Sequence, residues 1–213
     1  MKATIYKILT QPYIVILVML IAPVLNYFDR NFSFFFGLTI VGLILWTSNY
    51  NWSLFGLSKK LDKNTLFKSL KITAILILIT YTIDPIIEYY FGKTDISSLE
   101  DIKGNFISYV ITLILVWVFA GFGEELLFRG YYMKSLAKLF GNTKNSWIIS
   151  GIVTSIYFGI SHYYQGTSGI IGCALWSLLV SYIFCKNKEN LMLLVLIHGF
   201  YDTVGLTFLY FGI

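Results

Sequence analysis

The chain has 213 residues, of which 57% are hydrophobic and only 13% are charged, with a formal net charge of +5. Soluble domains carry about 25% charged residues, so this composition excludes a soluble globular protein and predicts a polytopic membrane protein. The positive charge does not indicate nucleic-acid binding, because the basic residues fall in loops between apolar runs. The length suits a single integral-membrane domain, residues 1–213, without a separate soluble domain.

Seven apolar segments approach the roughly 20 residues that a helix needs to cross a bilayer. They predict spans at 9–28, 32–55, 72–91, 105–126, 146–163, 167–185 and 191–212. The second contains the polar run WTSNYNW, so its span is expected to end near Thr47. Lys2 and Lys7 precede the first segment and no small-residue cleavage site follows it, which predicts an uncleaved first span. The predicted fold class is an all-α membrane bundle of about seven helices.

The charged loops indicate the orientation of this bundle, because cytoplasmic loops hold most Lys and Arg. With the N-terminus inside, 13 of the 16 basic residues fall in inner segments, and only Arg30, Lys93 and Lys103 fall in outer ones. We therefore expect a multi-pass cell-membrane protein with a cytoplasmic N-terminus and an external C-terminus. The basic stretches 58–71 and 129–142 are expected to lie on the cytoplasmic surface, against anionic lipid or a docking partner.

Two other sets of polar side chains lie in or beside the apolar segments. Asp84 and Glu88 are four residues apart near the outer end of the third span, where they either lie in water or serve a function; we favour water. Their like charges do not stabilise each other. Cys173 and Cys185 are expected to be free core thiols, since a free Cys behaves as a small hydrophobe.

The stretch GEELLFRG, residues 123–130, puts three charges at the end of an apolar run. Glu125 and Arg129 have the favourable order for an i,i+4 ion pair on a helix, so Arg129 can neutralise Glu125. Glu124 points elsewhere around the helix and has no such partner. An unpaired carboxylate there suits a general base, although hydration of Glu124 at the membrane surface is an equally open interpretation.

The two histidines of the chain strengthen the catalytic interpretation. His162 closes FGISH, with Phe158 four residues before it, and His198 opens HGFYD, with Asp202 four residues after it. On a helix Asp202 lies one turn beyond His198, where a carboxylate can fix the imidazole tautomer or bind a metal or a water. Glu, His, His and Asp are the groups that activate water, with or without Zn²⁺.

These motifs, EE-x-x-x-R, F-x-x-x-H and H-x-x-x-N/D in that order, resemble the CAAX protease and bacteriocin-processing (CPBP or Abi) family, which includes the type II CAAX prenyl endopeptidases. The residues LLFRGYY also look like the family's usual EE-x-x-F-R-G. The matching region covers roughly residues 120–205, within a motif-bearing core of about residues 105–212. The resemblance implies a helical bundle with a conical cavity open to the cytoplasm.

The resemblance also implies residue roles in an intramembrane endopeptidase. Glu124 is the general base, and His162 helps to hold the attacking water. His198, supported by Asp202, stabilises the oxyanion, while Glu125 and Arg129 are structural or position the substrate. The family commonly has Asn where this chain has Asp202, and an ionised Asp cannot donate a hydrogen bond to an oxyanion.

The same resemblance bears on the expected cofactor and substrate. A divalent metal such as Zn²⁺ at Glu124, His162, His198 and Asp202 and a metal-free glutamate mechanism both stay open. The expected partners are a peptide or membrane-protein substrate and the lipid bilayer, with no nucleic acid, while the sequence leaves the oligomeric state open. The alternatives are a non-catalytic bacteriocin-immunity or peptide-binding protein of the same fold, and a proton-coupled carrier.

One geometric conflict accompanies these predictions. With helices that rise about 1.5 Å per residue, Glu124 lies near the cytoplasmic end of a span that begins at residue 105. His162 lies near the outer end of a span that begins at residue 146. The proposed site therefore requires tilted helices or different helix bounds.

Overall fold

A computed structural model describes residues 1–59 and 61–213, so Lys60 of the predicted basic stretch 58–71 lies outside the described residues. The described part of the chain is helical and contains no strand. Its single pair of β-bridge residues, Leu57 and Asn190, joins two loops. The predicted all-α class is confirmed.

Nine α-helices follow one another in residues 1–59 and 61–213. They are α1 (Lys2–Leu9), α2 (Ile14–Leu25), α3 (Phe32–Thr47), α4 (Lys63–Phe91), α5 (Phe106–Leu115), α6 (Lys134–Leu139), α7 (Lys144–Ser161), α8 (Gly166–Lys186) and α9 (Leu191–Phe211). Short 3₁₀ helices occur at Trp52–Phe55, Ser97–Ile102 and Tyr163–Gln165. The π-helical segment Val116–Met133 joins α5 and α6, and we call the continuous helix Phe106–Leu139 the central helix.

Helix starts coincide with residues that cap them. The Asp62 carboxylate accepts a hydrogen bond from the Thr65 N–H at 2.7 Å, which begins α4 and lowers the pKa of Asp62. Asn190 accepts the Leu193 N–H at 3.2 Å at the start of α9. These residues fix the helix starts because they satisfy backbone donors that have no partner inside the helix.

A Schellman motif ends the central helix. Gly141 has φ +96°, and the N–H groups of Gly141 and Asn142 bond the carbonyls of Lys138 and Ala137. Phe140 is the C-cap of the central helix, and Gly141 follows it in the left-handed conformation. Arg129–Met133 is fully buried and continues the central helix, so the predicted surface helix at 129–142 is wrong in its first half.

All seven predicted apolar segments contain a helix, but fewer of these helices are long and apolar enough to cross a membrane. Among the described residues, four meet both conditions: Lys63–Phe91, Phe106–Leu139, Tyr163–Lys186 and Leu191–Phe211. The first apolar segment is broken, because α1 and α2 meet at 83°, and the pair counts as a fifth span if taken together. α3 has only 16 residues and ends at Thr47, where the sequence predicts its end.

Residues of α2, α3, α4, the central helix, α7, α8 and α9 share one buried apolar core. The central helix packs against α9, and α9 packs in turn against α4. Gly199 allows the first of these contacts, since a Cβ there would lie only 2.6 Å from the ring of Trp117 on the central helix. Leu191, Leu193, Leu194 and Ile197 are fully buried there. Close packing of this kind is how helices associate inside a membrane, where burial from water contributes little.

The bundle has two distinct ends. At one, which we call the basic end, the loops around residues 48–59, 140–143 and 187–190 meet. Lys68 Nζ donates to Asn187 there at 2.7 Å, and Ser58 N–H bonds the Glu189 carbonyl at 3.3 Å. At the opposite end the loops 26–31, 92–105 and 162–165 meet, and Asp95 N–H bonds the Gln165 carbonyl at 3.0 Å.

Candidate active site

A buried ion pair fixes the centre of the molecule. Arg129 Nη1 donates to Glu125 Oε1 at 2.9 Å, and neither side chain has any accessible surface. Arg129 Nη2 also donates to the carbonyl and the hydroxyl of Ser177, at 3.1 and 2.8 Å. The guanidinium lies over the rings of Phe158 and Trp176. The predicted Glu125–Arg129 pair is confirmed, whereas no motif in the sequence indicated the contacts of Ser177 and Trp176.

His198 on α9 is joined to this pair. Its Nδ1 lies 2.8 Å from Glu125 Oε1, and its Nε2 lies 3.9 Å from Glu124 Oε2 and 3.4 Å from Asp202 Oδ2. The Trp176 ring packs against the imidazole with centroids 4.4 Å apart. Glu125 therefore holds the nitrogen that fixes the orientation of the ring, a role that the sequence suggested for Asp202. Asp202 faces the other nitrogen.

Glu124 differs from Glu125 in its access to solvent. Its side chain retains 21% of its accessible surface, against none for Glu125. Glu124 also lies near the middle of the central helix, because that helix continues to Leu139 rather than ending at residue 126. The predicted difference in depth between Glu124 and His162 thus arose because the predicted span ended too early, at residue 126. Glu124 does not lie at a helix end.

His162 lies just beyond the last residue of α7, Ser161. Its Nδ1 is 2.8 Å from the Phe158 carbonyl, so Nδ1–H donates there and Nε2 remains available. Phe158 packs on the imidazole with centroids 4.5 Å apart. Phe158 thus positions His162 with both its backbone and its ring, which gives a physical meaning to the F-x-x-x-H spacing.

Two cavities meet at Glu124 and His162, which line both of them. The first, of about 500 Å³, contains His198 and Asp202 and is lined at its rim by Thr94, Ser98 and Gln165. The second, of about 740 Å³, runs between α3 and the central helix. Its lining includes Phe35, Phe119 and Ile160, which are exposed on the apolar surface of the bundle. We call them the polar cavity and the lateral cavity.

Asp84 and Glu88 have different surroundings, although the sequence treated them as a pair. Glu88 bonds Lys93 Nζ at 2.6 Å in the outer loop. Asp84 lines the polar cavity, a position that the sequence did not indicate. Cys173 lines the same cavity, and both Cys173 and Cys185 are free thiols, as predicted.

The geometry gives no support to the metal site that the resemblance left open. The Nε2 atom of His198 does face carboxylate oxygens of Glu124 and Asp202. However, no group of three or more His, Cys, Asp or Glu side chains in residues 1–59 and 61–213 is arranged to hold a metal ion. These donors are therefore not arranged as a metal site in this structure.

Comparisons with known proteins bear on the same region. The family model described as type II CAAX prenyl endopeptidase Rce1-like matches residues 106–204, somewhat less than half of the chain. Neither the curated proteins nor the solved structures gave a match. The matched segment contains Glu124, His162, His198 and Asp202, and it agrees with the resemblance drawn from their motifs. Through residues 106–204, the chain is similar to the Rce1-like type II CAAX prenyl endopeptidases.

Proposed function

We propose that the protein is an intramembrane endopeptidase that hydrolyses a peptide bond of a membrane-associated peptide or protein. The observation that carries this proposal is the contrast between two adjacent carboxylates. Glu125 is sealed in an ion pair, whereas Glu124 is partly accessible and lies where the two cavities meet, 3.9 Å from His198. A fixed carboxylate that water and substrate can both reach is suited to general-base catalysis.

In the first step Glu124 accepts a proton from a water molecule that His162 Nε2 also holds. The resulting hydroxide attacks the carbonyl carbon of the scissile peptide bond and forms a tetrahedral oxyanion. The Glu124 proton then passes to the leaving nitrogen as the C–N bond breaks, which regenerates the carboxylate. The donor Nδ1–H to Phe158 keeps the His162 ring in the tautomer that this step needs.

The oxyanion is stabilised by His198. Its Nδ1–H is held by Glu125, so a second proton on Nε2 can be directed into the polar cavity. Arg129, Ser177 and Trp176 hold this assembly in place before substrate arrives. Such preorganised donors contribute most to catalysis because they need not reorient as charge develops.

The lateral cavity supports a substrate that is membrane-associated. Its apolar lining, with Phe35, Phe119 and Ile160 exposed beside it, offers an apolar segment a route to Glu124 from the lipid. The polar cavity brings water to the same residue from the opposite side. The protein itself is a multi-pass membrane protein, since several apolar helices are long enough to cross a bilayer.

The test compares cells that express wild type or Glu124→Gln, with membrane and secreted peptides identified by mass spectrometry. Loss of the general base should lower cleavage by roughly 10²–10⁴-fold, so product peptides should disappear from the variant. Glu100→Gln makes the same chemical change on an exposed loop and should leave the peptide profile unchanged.

Both variants must reach the same expression level and melting temperature in detergent for the comparison to count. Identical profiles in wild type and Glu124→Gln would contradict the proposal. If resistance to a bacteriocin also survived in Glu124→Gln, the non-catalytic immunity or peptide-binding function would replace it.

A further inference from the structure

Charge is distributed very unevenly between the two ends of the bundle. In the described part of the chain, the basic end and the helix turns beside it carry Lys59, Lys63, Lys68, Lys134, Lys138, Lys144, Lys186 and Lys188. Lys2 lies over the Trp46 ring at 4.6 Å, so α1 is at this end too. The opposite end carries Arg30, Lys93 and Lys103, together with Asp29, Asp95, Glu100 and Asp101.

This asymmetry determines which end faces the cytoplasm. Short loops rich in Lys and Arg are retained on the cytoplasmic side during insertion, and acidic residues have little influence. The basic end is therefore cytoplasmic, with the N-terminus beside it. α9 runs from Asn190 at the basic end to Gly212 beside Lys103, which puts the C-terminus outside.

The polar cavity opens at the other end. Its lining comes from the outer part of the bundle and includes Thr94, Asp95, Ser98, Leu99 and Gln165, and it includes no described residue of the basic-end loops. Between His198 and the basic end, the interior is filled by the buried Glu125–Arg129 pair and by the fully buried side chains of α9, which are Leu191, Leu193, Leu194 and Ile197.

We infer that the catalytic cavity opens to the extracytoplasmic side, and that its substrate is an extracytoplasmic segment of an exported or membrane-inserted polypeptide. The family resemblance implied a cavity that opens to the cytoplasm. In this fold the cavity opens at the end opposite the basic loops, so it opens away from the cytoplasm if those loops are cytoplasmic. The substrate class rests on the proposed function, but the direction of the opening rests on the charge distribution and the cavity lining alone.

The charged residues that line the polar cavity limit which substrate segments can bind in it. Four carboxyl groups, those of Asp84, Asp95, Glu124 and Asp202, line the polar cavity, whereas no Lys or Arg among the described residues does. A like charge in a confined site is unfavourable, so an acidic segment is disfavoured there relative to a neutral or basic one.

Cysteine labelling in intact cells tests the direction of the opening without relying on proteolysis. In a Cys173→Ser, Cys185→Ser background, Ser98→Cys places one thiol at the cavity rim, where Ser98 is exposed. The matched control, Asn145→Cys, places one thiol at an exposed position in the first turn of α7, at the basic end. Each variant is treated with a membrane-impermeant maleimide before and after permeabilisation.

We expect Ser98→Cys to be labelled in intact cells and Asn145→Cys only after permeabilisation. A third variant, Cys185→Ser, keeps the natural Cys173 inside the cavity. A small impermeant methanethiosulfonate reagent should modify Cys173 from outside the cell, which tests the cavity itself rather than its rim. The reverse pattern, with Asn145→Cys labelled in intact cells and Ser98→Cys protected, overturns the inference.

The two proposals fail in different ways. Reversed labelling together with Glu124-dependent cleavage leaves the endopeptidase in place and refutes the external opening. External labelling without any Glu124-dependent product keeps the orientation and refutes the endopeptidase. If both hold, the bonds whose cleavage depends on Glu124 should map to extracytoplasmic segments of their parent proteins, and cytoplasmic cleavage sites would refute the substrate class.

Discussion

Adjacent side chains in this protein have opposite tasks because they face different surroundings. Glu125 contacts Arg129 and His198 and has no accessible surface, while Glu124, one residue earlier, borders two cavities. A buried charge is tolerated when it is paired and hydrogen-bonded, as Glu125 is. Its pairing also holds His198 in place, and in the proposed mechanism the structural and the catalytic role fall on neighbouring residues.

This arrangement predicts that Glu125→Gln is much more destabilising than its surface counterpart. Removing one partner of a buried ion pair leaves Arg129 charged and unpaired, which costs about 3–5 kcal/mol. Glu189→Gln, which removes the accessible partner of Lys134 at 3.8 Å, should cost about 0–1 kcal/mol. Thermal unfolding in detergent, followed by tryptophan fluorescence, measures both.

The double variant Glu125→Gln, Arg129→Met completes that experiment, because it removes both charges together. It should regain part of the stability lost in Glu125→Gln. If the single variant melts at the wild-type temperature, the pair is not the fixed centre that we describe.

Asp202 gives a prediction that concerns catalysis rather than stability. Asp202→Asn places an amide N–H₂ donor beside His198 Nε2, where the wild type has an oxygen at 3.4 Å. If this position helps to stabilise an oxyanion, Asp202→Asn should keep or raise kcat on a substrate identified with Glu124→Gln, and Asp202→Ala should lower it. Equal losses in both variants would show that an ionised carboxylate is required.

At the scale of whole helices, glycines determine how closely the spans approach. A Cβ on Gly159 of α7 would lie 2.5 Å from the Ile170 carbonyl oxygen and 2.7 Å from Ala174 Cβ of α8. The oxygen belongs to the backbone and cannot move without displacing a helix. The packing of α7 against α8 therefore positions His162, which lies three residues after Gly159.

We predict that Gly159→Ala lowers the melting temperature and also weakens cleavage, because the two helices must separate. The matched control is Gly205→Ala on α9, where a Cβ meets nothing within 4 Å. There the higher helix propensity of Ala, about 1 kcal/mol better than Gly, should leave stability unchanged or improved. Similar melting temperatures for the two variants would argue against close α7–α8 packing.

At the scale of the whole molecule, the polar cavity and the Lys-rich loops lie at opposite ends of the bundle. The interior towards the Lys-rich end is filled by buried side chains, and the end with few basic residues contains the opening to Glu124. Orientation in the membrane and access to the catalytic groups are consequently linked. A membrane-associated substrate can approach through the lateral cavity while water reaches the same carboxylate through the polar cavity.

The amino-acid sequence by itself determined the helical class, the presence of a helix in each apolar segment, the Glu125–Arg129 pair and the motifs that indicate the family. These features depend on local periodicity, capping and spacing, which neighbouring residues specify. The bounds of the central helix were not predictable, because Arg129–Met133 looked like a basic surface stretch and was buried by contacts with other helices.

Only the tertiary structure decided which groups meet across helices. The Glu125–His198 contact spans 73 residues and the Arg129–Ser177 contact spans 48, so no local pattern contains either of them. The same holds for the cavity, whose direction depends on which loops close each end of the bundle. Long-range packing also places Asp84 and Cys173 on the wall that Glu124 faces, because a cavity wall is assembled from several helices at once.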